Sequence, residues 1–280
     1  RHVAVAVNKM DLVDYSEAEF EAVKASFLDV AAPLGISDIV VIPVSALVGD
    51  NVVDQSANMT WYDGPTLLEH LETVPIGLDP RDQPFRLPVQ YVNRPRTAEH
   101  PDYRGFSGRI ASGVIRVGDE IVVNPLGRKS TVTGIDVLGK PAEVAFAPQS
   151  ITLSLSDEID IVRGDVISSI AGSPLSTREV TATVCVLADS PIEKGQRLLA
   201  RFGPKTVRVI VADIVDRLDL NSLEHESHSG SLELNDVGTL VLRLADDVVV
   251  DNYDDLRTTS AFILVDDHDG STLAGGMTRC

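Results

Sequence analysis

Between residues 75 and 85 the sequence changes its period, and one uniform sheet or bundle cannot accommodate both sides of that change. Pro75, Gly77, Pro80 and Pro84 fall in this stretch, the composition of a linker. Before it the pattern is α/β. Val3 to Val7 is an unbroken apolar run, as in a strand covered on both faces. Ser16 with Glu19 makes a capping box, Phe20, Val23, Phe27 and Val30 follow at helical spacing, and Gly35 offers a stop. A second buried strand is expected at 39–44. A second helix should follow Asp63-Gly64-Pro65, with Leu67, Leu68 and Leu71 turned inward. After the linker, short strands alternate with turns. Runs at 85–91, 105–112, 119–124, 129–137 and 151–155 suit one small barrel. Runs at 179–188, 196–202, 206–215, 238–244 and 260–265 suit a second. The expected order is an α/β part over 1–78, a first β-barrel over 79–174 and a second over 175–280.

Charge narrows the partners. The 280 residues carry 42 Asp and Glu against 24 Lys and Arg, a net charge of −18. Like-charge repulsion excludes wholesale binding to DNA or to an anionic membrane. The window 81–140 reverses the balance, with ten basic and six acidic residues. A basic first barrel can meet phosphate, RNA or an acidic partner, or it is a solvated mixed surface. Cys185 and Cys280 have neither a disulfide framework nor zinc spacing, which fits a reducing compartment, the cytoplasm. No apolar run nears the roughly 18 residues that span a bilayer. The chain opens Arg1-His2 and enters a strand at once, as a piece cut from a longer protein would.

One motif carries chemistry. Asn8-Lys9-Met10-Asp11 directly follows the first strand, at the carboxyl end where α/β sheets hold ligands. A carboxylate here can accept from both the ring N1–H and the exocyclic amine of guanine. Adenine lacks that donor pair and would leave the carboxylate unpaired. The Lys stem can lie over a base, and the Asn can tie neighbouring loops together. The next strand ends in Ser45-Ala46-Leu47, where a backbone amide can meet the guanine carbonyl oxygen. The phosphate-handling half of such a site is missing: no stretch matches G-x-x-x-x-G-K-[ST]. Asp102-Tyr103-Arg104-Gly105 and Asp267-His268-Asp269-Gly270 match D-x-x-G but lie beyond the α/β part. The phosphate half is therefore expected before residue 1.

These loops, followed by two barrels, resemble the translational GTPases of the elongation factor Tu type. The turn pattern from Gly105 through Gly108-Arg109-Ile110, Gly113-Val114 and Val117-Gly118-Asp119 is similar to theirs. More narrowly, several runs resemble the large, GTP-hydrolysing subunits of bacterial sulfate adenylyltransferase. They are Asn8 to Tyr15, Ser45-Ala46-Leu47 with Gly49-Asp50-Asn51-Val52, and Trp61-Tyr62-Asp63-Gly64-Pro65-Thr66-Leu67-Leu68. Leu87 to Pro95 and Asp157 to Asp165 extend the likeness. The resemblance implies a remnant of a P-loop GTPase domain ahead of the barrels. It implies GTP and Mg2+ as cofactors, with Asn8, Lys9, Met10, Asp11, Ser45, Ala46 and Leu47 around the guanine. It implies a heterodimer with a small catalytic subunit, making adenosine 5′-phosphosulfate and pyrophosphate from ATP and sulfate. Without the phosphate loop, these residues alone should not hydrolyse GTP.

Other residues have plainer readings. Arg94, Arg96, Arg104 and Arg109 surround a Pro-rich turn and are the candidates for meeting the small subunit or its nucleotide. Glu224-His225-Glu226-Ser227-His228 offers a His pair but sits in a polar loop, short of a zinc ligand set. Trp61 and Tyr62 serve either a partner contact or packing on the following helix. Asp246-Asp247 and the acidic run from Asp251 to Asp255 read as solvated edge turns. Two further functions stay open on the same fold: an RNA-binding translation factor and a non-catalytic module that docks a partner.

Overall fold

The computed structural model describes the chain except residue 1 and residues 76–78, 96–102, 220–221 and 228–229. It divides into two units, Arg1–Gly77 and Leu78–Cys280. In the first, β1 (Val3–Val7), α1 (Glu17–Ala31) and β2 (Ile39–Pro43) make a βαβ unit. The strands are parallel, with Val3 opposite Ile39 and Val7 opposite Pro43. Parallel neighbours need a crossover, and the helix supplies it. α1 starts where Ser16 accepts from the Glu19 amide at 3.4 Å. It ends at Ala31, ahead of the expected stop, because Pro33 brings no N–H to continue it. Gly35, at φ +66°, then turns the chain, its amide returning to the Ala32 carbonyl at 3.1 Å. α2 (Leu67–Thr73) is capped by Thr66, which accepts from the Glu69 amide at 3.2 Å.

The inward stripes expected on both helices are corrected by the structure. Val23 and Val30 are 48% and 51% exposed, Leu68 and Leu71 are 40% and 60% exposed, and α2 buries no residue. Two strands offer less apolar area than two amphipathic helices can cover. The core here is built by loops instead: Met10, Phe20 and Met59 are buried, with Trp61 and Tyr62 packed against them. The Phe20 ring lies 5.3 Å from Trp61 and 6.3 Å from Tyr62, within the range of favourable aromatic pairs. Gly64 is required beside this cluster, since a Cβ there would lie 2.4 Å from the Tyr62 hydroxyl. A single βαβ crossover occurs in many α/β folds. It does not by itself identify a P-loop domain.

The second unit holds two sets of strands. The first uses β3 (Arg86–Pro88), β4 (Tyr91–Asn93), β5 (Gly105–Arg109), β6 (Val114–Arg116), β7 (Glu120–Asn124), β8 (Arg128–Val137), β9 (Lys140–Ala142), β10 (Val144–Phe146), β11 (Ser150–Leu155) and β12 (Val166–Ser169). Its main sheet runs β3-β12-β7-β8-β11-β5-β4, with β9 beside β8, and β6 and β10 form a separate two-stranded sheet. The two ends meet, because only Val89 and Gln90 separate β3 from β4. The Val89 amide donates to Asp165 O at 2.8 Å on the β12 side, and the Gln90 amide to Ser107 O at 2.9 Å on the β5 side. Leu87, Phe106, Ile121, Leu153 and Ile167 fill the interior.

The second set uses β13 (Leu175–Val186), β14 (Arg197–Phe202), β15 (Lys205–Leu218), β16 (His225–Ser227), β17 (Val237–Val250), α3 (Arg257–Ser260), β18 (Ala261–Val265) and β19 (Thr272–Arg279). The order β14-β18-β19-β13-β17-β15 closes through a β14–β15 pair, with β16 on the β15 flank. Phe202 stacks on Phe262 at 4.7 Å inside this barrel, among Val184, Leu198, Leu240 and Leu264.

A buried ion pair joins the barrels. Arg86 of β3 donates from Nε and Nη2 to Asp251 at 3.1 and 2.8 Å. Their side chains are 3% and 12% exposed. Arg86 also donates to the carbonyls of Phe85 and Gly172, and Thr259 donates to Asp251 at 2.6 Å. Asp251 was read as a solvated turn residue; the structure makes it the counter-charge of a strand arginine. β17 also runs to Val250, so Asp246 and Asp247 belong to a strand and not to a turn.

Candidate functional site

The Asn8–Asp11 loop leaves β1 and turns sharply. Lys9 has φ +70°, in the left-handed region, and a 3-10 turn, Met10–Val13, follows. The parallel ladder extends into this loop: the Val44 amide donates to Val7 O at 2.9 Å and the Met10 amide to Val44 O at 3.2 Å. The two loops thus leave the sheet side by side.

Side chains then join them. Asn8 Oδ1 accepts from the Lys9 amide at 2.7 Å and from the Ala46 amide at 3.0 Å. Ser45, fully buried, donates from Oγ to Asp11 Oδ1 at 2.6 Å. Among the described residues nothing donates to the second oxygen of Asp11. A half-buried carboxylate, held on one oxygen by a hydroxyl, keeps its direction. Lys9 and Ala46 are exposed and Leu47 is 87% exposed, so all three line the open side. Met10 does not: at 2% exposure it packs beneath the loop with Phe20 and Met59. Its side chain anchors the loop from below.

A second layer fixes the Ser45 loop, and the sequence reading assigned it no role. The Ser45 amide donates to Asp50 O at 3.1 Å. Asn51, 2% exposed, donates to Pro43 O at 2.9 Å and accepts from the Ser56 amide at 2.8 Å. Ser56 Oγ donates to Asp50 Oδ1 at 2.7 Å. The Trp61 indole donates to Tyr15 O at 3.0 Å, pinning the far end of the Asn8–Tyr15 loop. Burial, with Asp50 and Asp11 nearby, holds the Tyr15 phenol above its ordinary range. Trp61 and Tyr62 therefore serve packing. The signal was a polar run, Asp50-Asn51 with Ser56, too rich in hydrogen-bonding groups for a plain loop.

The arginines of the first barrel divide. Arg94 and Arg104 both approach Asp160, at 4.0 and 3.7 Å, and Arg104 donates to Ile159 O at 2.9 Å. Arg109 donates to Pro148 O at 3.1 Å. Arg96 and Asp102 lie outside the described residues, as does His228 of the His-containing run. His225 bonds Asp216 at 3.0 Å across β15 and β16. In the Asp267–Gly270 motif the carboxylates are spent locally, Asp269 Oδ1 accepting from the Ser271 amide at 2.8 Å and Asp267 meeting His268 at 2.7 Å. No helix among the described residues is long and apolar enough to cross a membrane.

Two solved structures share the architecture: sup35 complexed with GMPPNP, at TM-score 0.64 and 22% identity, and sup35 complexed with GDP, at 0.65 and 21%. The matches cover 99% and 100% of this chain and 69% of each of those chains. Residues 179–279, the second barrel, match the GTP-eEF1A C-terminal domain-like family. The fold is shared with sup35, and the second barrel is of the eEF1A C-terminal domain-like kind.

The nearer relatives are more particular. The chain is 43% identical over 277 residues to sulfate adenylyltransferase subunit 1 of Cellvibrio japonicus, and 42% identical over 280 to that of Laribacter hongkongensis. It is 42% identical over 278 residues to the bifunctional enzyme CysN/CysC of Mycobacterium tuberculosis. These matches cover 99–100% of the chain and 58%, 57% and 45% of those proteins, so the chain spans about half the length of the curated relatives it matches. By sequence it is similar along nearly its whole length to proteins named sulfate adenylyltransferase subunit 1.

Proposed function

We propose that these residues supply the guanine-reading loops and the barrel pair of a sulfate adenylyltransferase large subunit. The observation that carries the reading is identity of 42–43% along essentially the whole chain with proteins of that name. The paired loops give it a mechanism. Asp11 accepts from N1–H and the 2-amine of guanine, Ser45 holds that carboxylate in line, and the Lys9 stem covers the base. Asn8 keeps the two loops at a fixed separation, and the Ala46–Leu47 backbone closes the carbonyl side. Adenine would leave Asp11 facing no donor, at a cost of a buried unpaired charge.

In this reading GTP binds with Mg2+, whose ligands and phosphate loop belong to the part of the family's sequence that these 280 residues do not cover. The chain by itself then hydrolyses no GTP. In the longer protein, hydrolysis drives the joining of sulfate to the adenylyl group of ATP, releasing pyrophosphate. A separate small subunit performs that transfer in the cytoplasm. Arg94, Arg96, Arg104 and Arg109 stand as contacts for that subunit, although Arg94 and Arg104 already share Asp160. The translation-factor alternative has the fold and the second barrel's eEF1A-like match in its favour, against identity of 42–43% along the whole chain. The test is ATP- and sulfate-dependent pyrophosphate release by the full-length protein with its small subunit. Stimulation by GTP supports the reading; equal release with and without GTP refutes it.

A further inference from the structure

The outer wall of the second barrel gathers arginines, three of which have no carboxylate partner among the described residues. Arg197, Leu199 and Arg201 face outward from β14, between the buried Leu198, Ala200 and Phe202. Arg208 of β15 lies opposite Leu199, midway between the two β14 arginines. Ile210 lies opposite both Arg197 and, on its other side, Arg243 of β17. Strand spacings of about 4.8 Å, with about 6.8 Å per two residues, put Arg208 roughly 8 Å from each β14 arginine at Cα. Arg197, Arg208 and Arg243 rim a cleft of about 380 Å³, with Ile210, Ala245 and Asp267 also lining it, and Arg201 lies one outward position further along β14.

Pairing marks this wall as different. Elsewhere on the same barrel Arg178 meets Asp247 at 3.0 Å, Lys194 meets Asp213 at 2.7 Å and Arg217 meets Asp236 at 3.9 Å. Arg243, at the edge of the cleft, meets Glu179 at 3.1 Å. Among the described residues Arg197, Arg201 and Arg208 have no carboxylate within 4 Å, in a chain whose acids outnumber its bases 42 to 24. Asp267 is held by His268 at 2.7 Å. Each of these arginines faces an uncharged residue across the strands, so their guanidinium groups are left to reach an outside carboxylate.

We propose that this wall docks an acidic protein surface. Guanidinium groups pair with carboxylates in a bidentate fork, and Arg is enriched at protein interfaces. An aliphatic centre, Ile210 at 43% exposure with Leu199 beside it, gives the contact an apolar core. Single-stranded nucleic acid would instead want aromatic platforms, and this wall has none. The net charge of −18 also repels a polyanion beyond the patch. A partner that fits carries two or three carboxylates around an aliphatic group.

The test rests on the sulfate adenylyltransferase reading, which supplies the probe: the purified small subunit, titrated against this 280-residue chain by calorimetry. A labelled 20-nucleotide single-stranded RNA is titrated in parallel. Arg197→Glu with Arg208→Glu should weaken small-subunit binding at least tenfold. Arg178→Glu, on the same barrel but outside the cleft, should leave it unchanged, and both variants should melt with the wild type. Ile210→Ser, which keeps the charges, should weaken binding severalfold. Unchanged binding by the double variant refutes this surface and leaves the functional reading intact. No binding of the small subunit by the wild-type chain refutes the surface, and GTP-stimulated pyrophosphate release then judges the functional reading separately. RNA binding that is tighter than small-subunit binding and is lost in the double variant also overturns the proposal.

Discussion

Arg86→Ala should be among the most damaging single changes in the barrel unit. It removes the guanidinium from a pair whose members are 3% and 12% exposed, and it leaves Asp251 with the Thr259 hydroxyl at 2.6 Å as its remaining side-chain donor. The Phe85 and Gly172 carbonyls lose a donor as well. Breaking a buried pair from one side costs about 3–5 kcal/mol, because the stranded charge has no water to return to. With a urea m-value of about 2–3 kcal/mol/M, the unfolding midpoint falls by about 1–2 M. The assay is urea unfolding followed by circular dichroism, on wild type, Arg86→Ala, and the double variant Arg86→Met with Asp251→Leu. The apolar double variant should recover most of the loss, since it strands no charge. A midpoint shift equivalent to less than about 1 kcal/mol for Arg86→Ala would show that water reaches the pair. A double variant worse than the single would show that the charges stabilise beyond their desolvation cost.

Further outcomes follow from individual contacts. Gly276→Ala places a Cβ 2.3 Å from the Phe262 ring and should cost about 1–3 kcal/mol in the same assay, by overpacking the second barrel. The Tyr62 phenol is pushed up to about 12 by burial, with Asp63 and Glu69 adding to it. Its contribution to stability is therefore complete below pH 10, the unfolded value, and is lost as pH rises from 10 toward 12. Tyr62→Phe should flatten that alkaline decline in urea midpoints measured across the range. Ser45→Ala removes the hydroxyl at 2.6 Å from Asp11, a hydrogen bond to a charged group worth about 1.5–3 kcal/mol. In the full-length protein it should weaken GDP binding by roughly tenfold or more, read by labelled-GDP titration.

Several parts of this structure were legible because one residue type dictated one geometry. Ser16 capped α1 as its spacing with Glu19 implied, and the two loops after β1 and β2 met because parallel neighbours end on the same side. The rest was hidden for definable reasons. β19 contains Gly275-Gly276, which reads as a turn until Phe262 is seen to need the space. β12 is only four residues long and follows the buried Asp165. Helical periodicity in α1 and α2 predicted burial, but periodicity states which face is apolar and not whether anything covers it. Arg86 and Asp251 lie 165 residues apart, so no local pattern could join them. Met10 illustrates the same limit inside the motif: its neighbours face outward, while a left-handed Lys9 turns Met10 into the core.

The central claim is that Asp11, held by Ser45, reads guanine for a sulfate-activating enzyme. The direct measurement exchanges the base. In the full-length protein with its small subunit, ATP- and sulfate-dependent pyrophosphate release is followed with GTP or XTP, for wild type and Asp11→Asn. An amide offers one donor and one acceptor, the complement of xanthine's O2 and N1–H, so the variant should respond to XTP and lose its response to GTP. Wild type should do the reverse. An Asp11→Asn enzyme still stimulated by GTP as strongly as wild type would contradict the assignment.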